Sequence, residues 1–301
     1  MKRVISVSLG SSKRNSVAEV TILDQDFRIE RIGTDGDIQK AIALIKELDG
    51  KVDAFGMGGI DLYVWAGKKR YVLRDAIPIA KAAVKSAMVD GSGLKNTLER
   101  RVIQYLDTNH IIDFPHSKVL LVCGVDRFGM AEALVEAGAD VMFGDLIFVL
   151  GVPVPLRSLS ALHTAASILG PIVCRLPFKM LYPTGNKQEK VQPKYARYYH
   201  DADVIAGDFH FIRRYMPEDL KGKVIITNTV TKDDVEELKR RGVSKLITTT
   251  PELNGRSFGT NVMEGVLVAL SDKPAADMTA ADYDDLLTRI GFVPRIEDLT
   301  T

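Results

Sequence analysis

The chain has 301 residues, 46% of them hydrophobic and 26% charged, which suffices for ordinary globular cores and about two domains. Its 40 Lys and Arg balance 39 Asp and Glu, so a net charge of +1 gives no bias toward nucleic acid or an anionic membrane. Two cysteines, Cys123 and Cys174, are too few for a disulfide scaffold or a four-thiolate metal site, and in apolar runs they read as reduced thiols of a cytoplasmic protein.

Met1, Lys2 and Arg3 run directly into a strand-like segment, 4–9, which does not read as a signal peptide. Residues 17–23 and 27–32 suggest a hairpin across Asp24, Gln25 and Asp26. Ile38, Ala41, Ile42, Ile45 and Leu48 then recur at helical spacing until Gly50. A strand at 52–55 leads into Gly56, Met57, Gly58 and Gly59; a second hairpin is expected from 62–64 and 70–73, and helices at 76–85 and 94–106. The polar run 109–117, with Pro115, marks a boundary: an N-terminal mixed α/β domain over 1–115 and a second domain over 116–301. In the second, 119–123 is a buried-type strand, 124–129 a turn, 130–137 a helix and 141–143 the next strand. The most apolar stretch, 141–156, is broken by Asp145, Pro153 and Pro155 and is too short to span a bilayer. Strands at 204–206, 224–227 and 245–248, with a Thr231-capped helix ending at Gly242, imply parallel pairing through right-handed crossovers. The fold class is therefore α/β, its second domain a doubly wound, Rossmann-like parallel sheet closed by a helix at 280–290.

The segment 119–130 is the most informative. A strand, a glycine turn and a helix together present helix N-terminal N–H groups to an anion. Gly124, Asp126, Arg127, Phe128 and Gly129 form that turn, and Asp145 follows Gly124 by 21 residues, where a dinucleotide-binding unit keeps its ribose-binding acid. Asp126 departs from the pattern, because it stands where the middle glycine lets the backbone approach a pyrophosphate. Two like charges at about 4 Å repel by roughly 4 kcal/mol at an effective dielectric near 20. Besides a dinucleotide, the turn could serve geometry alone, with Asp126 as a helix cap, or hold a ligand that is cationic or donates to Asp126.

Other loops add candidates. If the strand at 204–206 continues, Asp208 and His210 share one side as an acid–base pair; the bland alternative is a polar loop. Asn254 and Arg256, in a glycine-rich loop ahead of an apolar helix, suit a carboxylate or phosphate, or merely cap that helix. Lys95 and Asn96 occupy the first turn of a helix opened by Asp90, Gly91, Ser92 and Gly93, where the dipole disfavours a lysine. A desolvated Lys95 could act as a general acid or base, whereas a solvated one would carry no function. No H-E-x-x-H and no Cys/His spacing builds a metal site, so no metal is expected.

Over most of its length, including 56–61, 90–95 and 254–259, the chain resembles the bacterial proteins labelled quinate/shikimate 5-dehydrogenase-like. The resemblance implies an N-terminal substrate domain, a C-terminal nicotinamide-cofactor domain and reversible oxidation of a cyclitol hydroxyl beside a ring carboxylate. Ser6 and Ser8 resemble the S-x-S element that holds the substrate carboxylate in that family. The N-V-T-x-P-x-K and N-T-D-x-x-G segments that carry the family's catalytic lysine and its partner aspartate are absent, and Lys95 with Asp90 stands as a substitute dyad. The leading expectation is an oxidoreductase using NAD or NADP on a small hydroxylated acid. Its rivals are a non-redox protein that binds an anionic metabolite or nucleotide and, third, a transferase or lyase using Asp208 and His210. Each takes a small-molecule partner rather than nucleic acid or membrane, and leaves homo-oligomerisation open.

Overall fold

The computed structural model describes residues 1–66, 69–173, 192–253 and 256–300. The first sheet comprises β1 (Lys2–Ser8), β2 (Ser16–Ile22), β3 (Gln25–Gly33), β4 (Ala54–Gly58) and β7 (Ala87–Val89), in the order β2-β3-β1-β4-β7. β1 runs parallel to β3 and β4, β4 runs parallel to β7, and only the edge strand β2 is antiparallel. The hairpin β5 (Tyr63–Ala66) and β6 (Lys69–Val72) stands apart from this sheet. Period-two alternation explains the two faces. Ile5, Val7, Phe55 and Met57 meet Ala41 and Ile45 of the helix Ile38–Leu48, while Val4, Phe27, Ile29 and Ala54 meet Val262, Val266 and Ala269 of the helix Thr260–Leu270.

The second sheet is β8 (Lys118–Leu121), β9 (Asp140–Phe143), β10 (Val204–Ala206), β11 (Val224–Thr227), β12 (Lys245–Thr248) and β15 (Arg295–Asp298), ordered β15-β12-β11-β10-β8-β9. All neighbours are parallel except β12 and β15. Both faces are covered, which is why its strands read as unbroken apolar runs. Val119, Leu121, Ala206, Ile226 and Ile247 share one core with helices; Leu120, Val122, Ile205, Ile225 and Leu246 share another. A two-residue ribbon, β13 (Glu252–Leu253) with β14 (Arg256–Ser257), follows β12.

Several expectations are corrected here. The helix expected at 76–85 is a single turn, Ile77–Ala80, with Pro78 in its first turn. The chain after Asp208 does not continue as a strand; it forms the helix Phe209–Tyr215, with Asp208 as its cap. The strands β7 and β15 lack a sequence signal of their own. Two helices also pack across the boundary between 1–115 and 116–301. The helix Ser92–Thr108 buries Leu94, Leu98, Val102 and Leu106 with Met130 and Leu134 on the second sheet, while Thr260–Leu270 returns to the first.

Gly129 belongs to this crossing. A Cβ there would lie 2.6 Å from the Asn96 carbonyl oxygen and 2.7 Å from its Cα, so the glycine lets two helices touch backbone to backbone. Backbone cannot rotate away as a side chain can. Gly129→Ala is expected to lower stability by about 1–3 kcal/mol in urea denaturation, with no change in the slope of the transition.

Candidate functional site

The carboxyl ends of both parallel sheets face one cavity of about 150 Å³. In the second sheet β9 lies on one side of β8 and β10 on the other, so the chain reverses direction there, the usual place for a ligand in an open α/β sheet. The loops after β8, β10 and β11 supply Asp126, Arg127, Asp208, His210 and Asn228; those after β1 and β4 supply Ser8, Gly10, Gly59 and Asp61.

Lys95 sits at the floor. The backbone turns through a left-handed Gly91 (φ 93°) into the helix Ser92–Thr108 and carries the ammonium between two carboxylates. Its Nζ donates to Asp61 Oδ2 at 2.8 Å and to Asp126 Oδ1 at 3.0 Å. Burial works against the charge, but Asp126 and Asp61 outweigh it and hold Lys95 protonated well above the usual lysine range. The converse acts on Asp61: burial, then the Asp126 and Asp90 carboxylates, push it up to about 8 against the pull of Lys95. One ammonium cannot neutralise two desolvated carboxylates, so near neutral pH this triad retains a proton on a carboxyl group.

Asp90 is not the partner of Lys95 that the sequence suggested. Its Oδ2 accepts from Leu62 N (2.7 Å) and Tyr63 N (3.1 Å), and its Oδ1 accepts from Ser92 N and Oγ. It ties the Asp61 loop to the start of the lysine's helix. Asn96 is likewise corrected: its side-chain oxygen accepts from Gly129 N at 3.0 Å and joins two helices.

Behind the lysine lies a second charged group. Arg127 is 1% exposed and pairs with Glu99, which is wholly buried, and with Asp208 at 3.3 Å. Burial pushes Glu99 up to about 7 despite the guanidinium and Lys95. Asp208 spends its other contacts on His210 N (2.9 Å) and Asn228 Nδ2 (3.0 Å), so it reaches the backbone of His210 rather than the ring. The ring instead faces Arg14, at 3.3 Å from Nε2 to Nη1. The expected Asp208–His210 acid–base pair is therefore replaced by two separate groups. Ser6 Oγ accepts from Asn261 Nδ2 (2.8 Å), and Ser8 Oγ accepts from Gly10 N and Arg31; both serines line the cavity.

The glycine turn is filled by its own chain. After β9, the wide helical turn Asp145–Val149 swings the Asp145 carboxylate back, where it accepts from Gly124 N (2.9 Å), Val125 N (2.8 Å) and Cys123 Sγ (3.6 Å). Burial raises Asp145 to about 6, with the two amides opposing. A Cβ on Gly124 would meet Leu162 at 2.9 Å and Phe143 at 3.0 Å, and Phe128 is stacked on His163 with ring centres 4.8 Å apart. The amides meant for a pyrophosphate thus hold a carboxylate, the acid meant for a ribose is 6% exposed, and Arg127 is committed to Glu99. These residues do not fit a dinucleotide. Asn254 lies outside the described residues, as does the side chain of Arg256.

Glu99, Arg31 and Asn228 were not picked out from the sequence, whereas Asp61, Arg14 and Asn261 lie in loops the sequence marked but carried no assigned role there. Glu99 had a signal: with Lys95 it forms an i, i+4 charged pair beside the apolar stripe Leu94, Leu98 and Val102. Asp61, closing a glycine-rich exit from a strand, had a weaker one. Among the described residues no cluster of His, Cys, Asp or Glu could hold a metal ion, and no helix is long and apolar enough to cross a membrane.

Two family models match the chain, both described as domains of unknown function: DUF8753 over residues 3–90 and DUF8754 over residues 93–299. No curated protein matches it. Similar solved structures include a putative malic enzyme (malate oxidoreductase), 13% identical over 96% of this chain and 84% of that one, with a TM-score of 0.34. The NAD-dependent malic enzyme of Thermotoga maritima is 12% identical over 96% and 84%, TM-score 0.35, and a galactofuranose binding protein is 11% identical over 97% and 100%, TM-score 0.36. At such TM-scores the likeness carries no argument about function.

Proposed function

The chain belongs to the DUF8754 family through residues 93–299, and from the cavity this segment shares with the first sheet we propose that it binds a small anionic metabolite and moves a proton on it. The observation that carries this is the buried Lys95 between Asp61 and Asp126. A lysine held charged beside a carboxyl group poised near 8 supplies a proton donor and its electrostatic counterweight in one place. Asp61 gives its proton to the carbonyl oxygen of the ligand as the Asp126 carboxylate takes one from the adjacent carbon, which yields the enol, and Lys95, bonded to both acids, offsets whichever of them is ionised. Perturbed acids and bases gathered in a cleft are what such chemistry requires. The reaction class is reversible proton transfer at an oxygen-bearing carbon of a small acid, as in isomerisation or dehydration.

A second reading is favoured by the Lys95–Asp61 contact itself. The quinate/shikimate 5-dehydrogenase-like resemblance implies a lysine–aspartate dyad acting with NAD or NADP, and such a dyad exists here with Asp61 in place of Asp90. The Asp145-filled turn opposes it.

One experiment separates the two. Small keto and hydroxy acids are incubated with the protein in D2O, with and without NAD(H) or NADP(H), and followed by proton NMR and thermal unfolding. We expect solvent deuterium to enter a keto acid without coenzyme, and this exchange to disappear in Asp61→Asn. A coenzyme at 100 times its Kd would add about 2.7 kcal/mol of stability. Such a shift, with exchange or turnover only in its presence, would overturn the first reading in favour of the second.

A further inference from the structure

One part of the cavity wall is built from both sheets. Arg14 comes from the single turn Ser12–Arg14 after β1 and Arg31 from β3, while His210 and Arg214 stand four residues apart on the helix Phe209–Tyr215. All four line the cavity. Arg31 is aimed by two fixed oxygens, donating to Ser8 Oγ and the Ser11 carbonyl, each at 3.0 Å. Arg14 touches the His210 ring and reaches Asp234 at 3.4 Å, while Asp234 is also committed to the Thr231 backbone and hydroxyl. Arg214 lies over the Tyr215 ring at 5.3 Å. The other acid bearing on this group, Asp208, is shared by Arg127 and Asn228.

Burial, and after it Arg14 with a smaller push from Arg31, lowers the His210 pKa to about 4 against Asp208 and Asp234, so the imidazole is neutral at physiological pH. Three guanidiniums and a neutral imidazole line this part of the cavity, and the carboxylate on Arg14, Asp234, is shared with the backbone and hydroxyl of Thr231. A planar carboxylate is satisfied by one guanidinium fork, whereas donors arriving from several directions on separate elements match the three terminal oxygens of a phosphoryl group.

We propose that this part of the cavity is a subsite for the phosphate group of a small phosphate monoester, held by Arg14 and Arg31 from the first sheet and by His210 and Arg214 from the second. The inference rests on the reading of the cavity as an anionic-metabolite site and deepens it by naming the substrate class. The phosphate anchors the molecule across the cleft, and its hydroxyl- or carbonyl-bearing end points toward Lys95. Because both lobes supply donors, a bound phosphate also bridges the two sheets.

The test is calorimetric titration of the full-length protein at pH 7 with inorganic phosphate and, separately, acetate, followed by NMR titration of the His210 ring. Saturable phosphate binding about tenfold tighter than acetate is expected, weakened about tenfold or more in Arg31→Gln and in Arg214→Gln. Arg214→Gln serves even if Arg31→Gln unfolds, since Arg214 sits on a partly exposed helix face. Bound phosphate should raise the His210 midpoint by at least about one pH unit, a change that a purely structural histidine would not show. Asp61→Asn should leave phosphate binding intact. Equal affinity for acetate and phosphate, or phosphate binding indifferent to both arginine substitutions, overturns the subsite. Deuterium exchange into a keto acid that depends on Asp61 would survive that result, so the two readings fail separately.

Discussion

Lys95→Met is expected to destabilise the protein by about 3 kcal/mol at pH 8.5 and by far less at pH 5, because it removes the cation that bridges Asp61 and Asp126. The size is set at the low end of what breaking a buried pair costs, since the cavity leaves those carboxylates 22% and 16% exposed. The sign follows from proton linkage. Asp61 has a folded pKa of about 8 against an ordinary value of 3.8, so its favourable contribution is complete below pH 4 and is lost as pH rises toward 8. Across that window the folded state binds the extra proton, and wild-type stability falls with pH by at most about 1.4 kcal/mol per unit from this group. Without the ammonium, Asp61 is harder still to ionise, so the window extends upward and the penalty grows with pH. Urea denaturation of both proteins at pH 5 and 8.5 decides it. A penalty equal at the two pH values would mean the triad is not electrostatically coupled. Asp61→Asn should lessen the wild-type pH dependence between those limits and leave the share that Glu99 and Asp145 contribute.

The second sheet was readable because strands buried on both faces leave continuous apolar runs such as Val119, Leu120, Leu121 and Val122. Which sheet a helix covers was not. An apolar stripe every three to four residues shows that Ser92–Thr108 and Thr260–Leu270 are amphipathic, but the stripe is the same whether its partner lies nearby or across the molecule. The exchange of these helices brings Lys95 under the second sheet's turn and Asn261 onto Ser6 of the first, so it makes the cavity. The glycine turn shows a different limit. Spacing located Asp145 at the end of the second strand, yet spacing is blind to side-chain direction. A strand followed by the turn Asp145–Val149 points the carboxylate back at Gly124 rather than outward. Lys95 was conspicuous because a cation in a helix's first turn opposes the dipole. Its partner was misassigned because Asp61 and Lys95 come from loops 34 residues apart, joined only when Asp90 folds one against the other.

Arg127→Met should be the most damaging single change in the second half, at about 3–5 kcal/mol near pH 8. Its guanidinium meets a carboxylate with no solvent exposure, and Glu99 Oε2 already lacks any other partner among the described residues. Removing the cation strands a buried charge that water cannot reach. Glu99 relieves this by taking a proton. Its folded pKa, about 7 with the arginine present, sits above the ordinary 4.5, so its favourable share is held below pH 4.5 and fades as pH climbs through 7. Losing Arg127 moves that fading point higher, which makes the variant's deficit smaller at pH 5.5 than at pH 8. Glu99→Gln, which at pH 5.5 substitutes a neutral group for one that is mostly protonated, is expected to cost about 1–2 kcal/mol there. The double variant Arg127→Met with Glu99→Leu discards both charges and should recover most of the loss, because apolar pairs of similar volume replace buried ion pairs at little or no cost. Asp208 remains supported by Asn228 and by the His210 amide in that background. Denaturation of the wild type, the Arg127→Met and Glu99→Leu single variants and the double variant at both pH values closes the cycle. If the double variant is as unstable as Arg127→Met alone, the pair is not what the arginine contributes, and its packing against the turn must be.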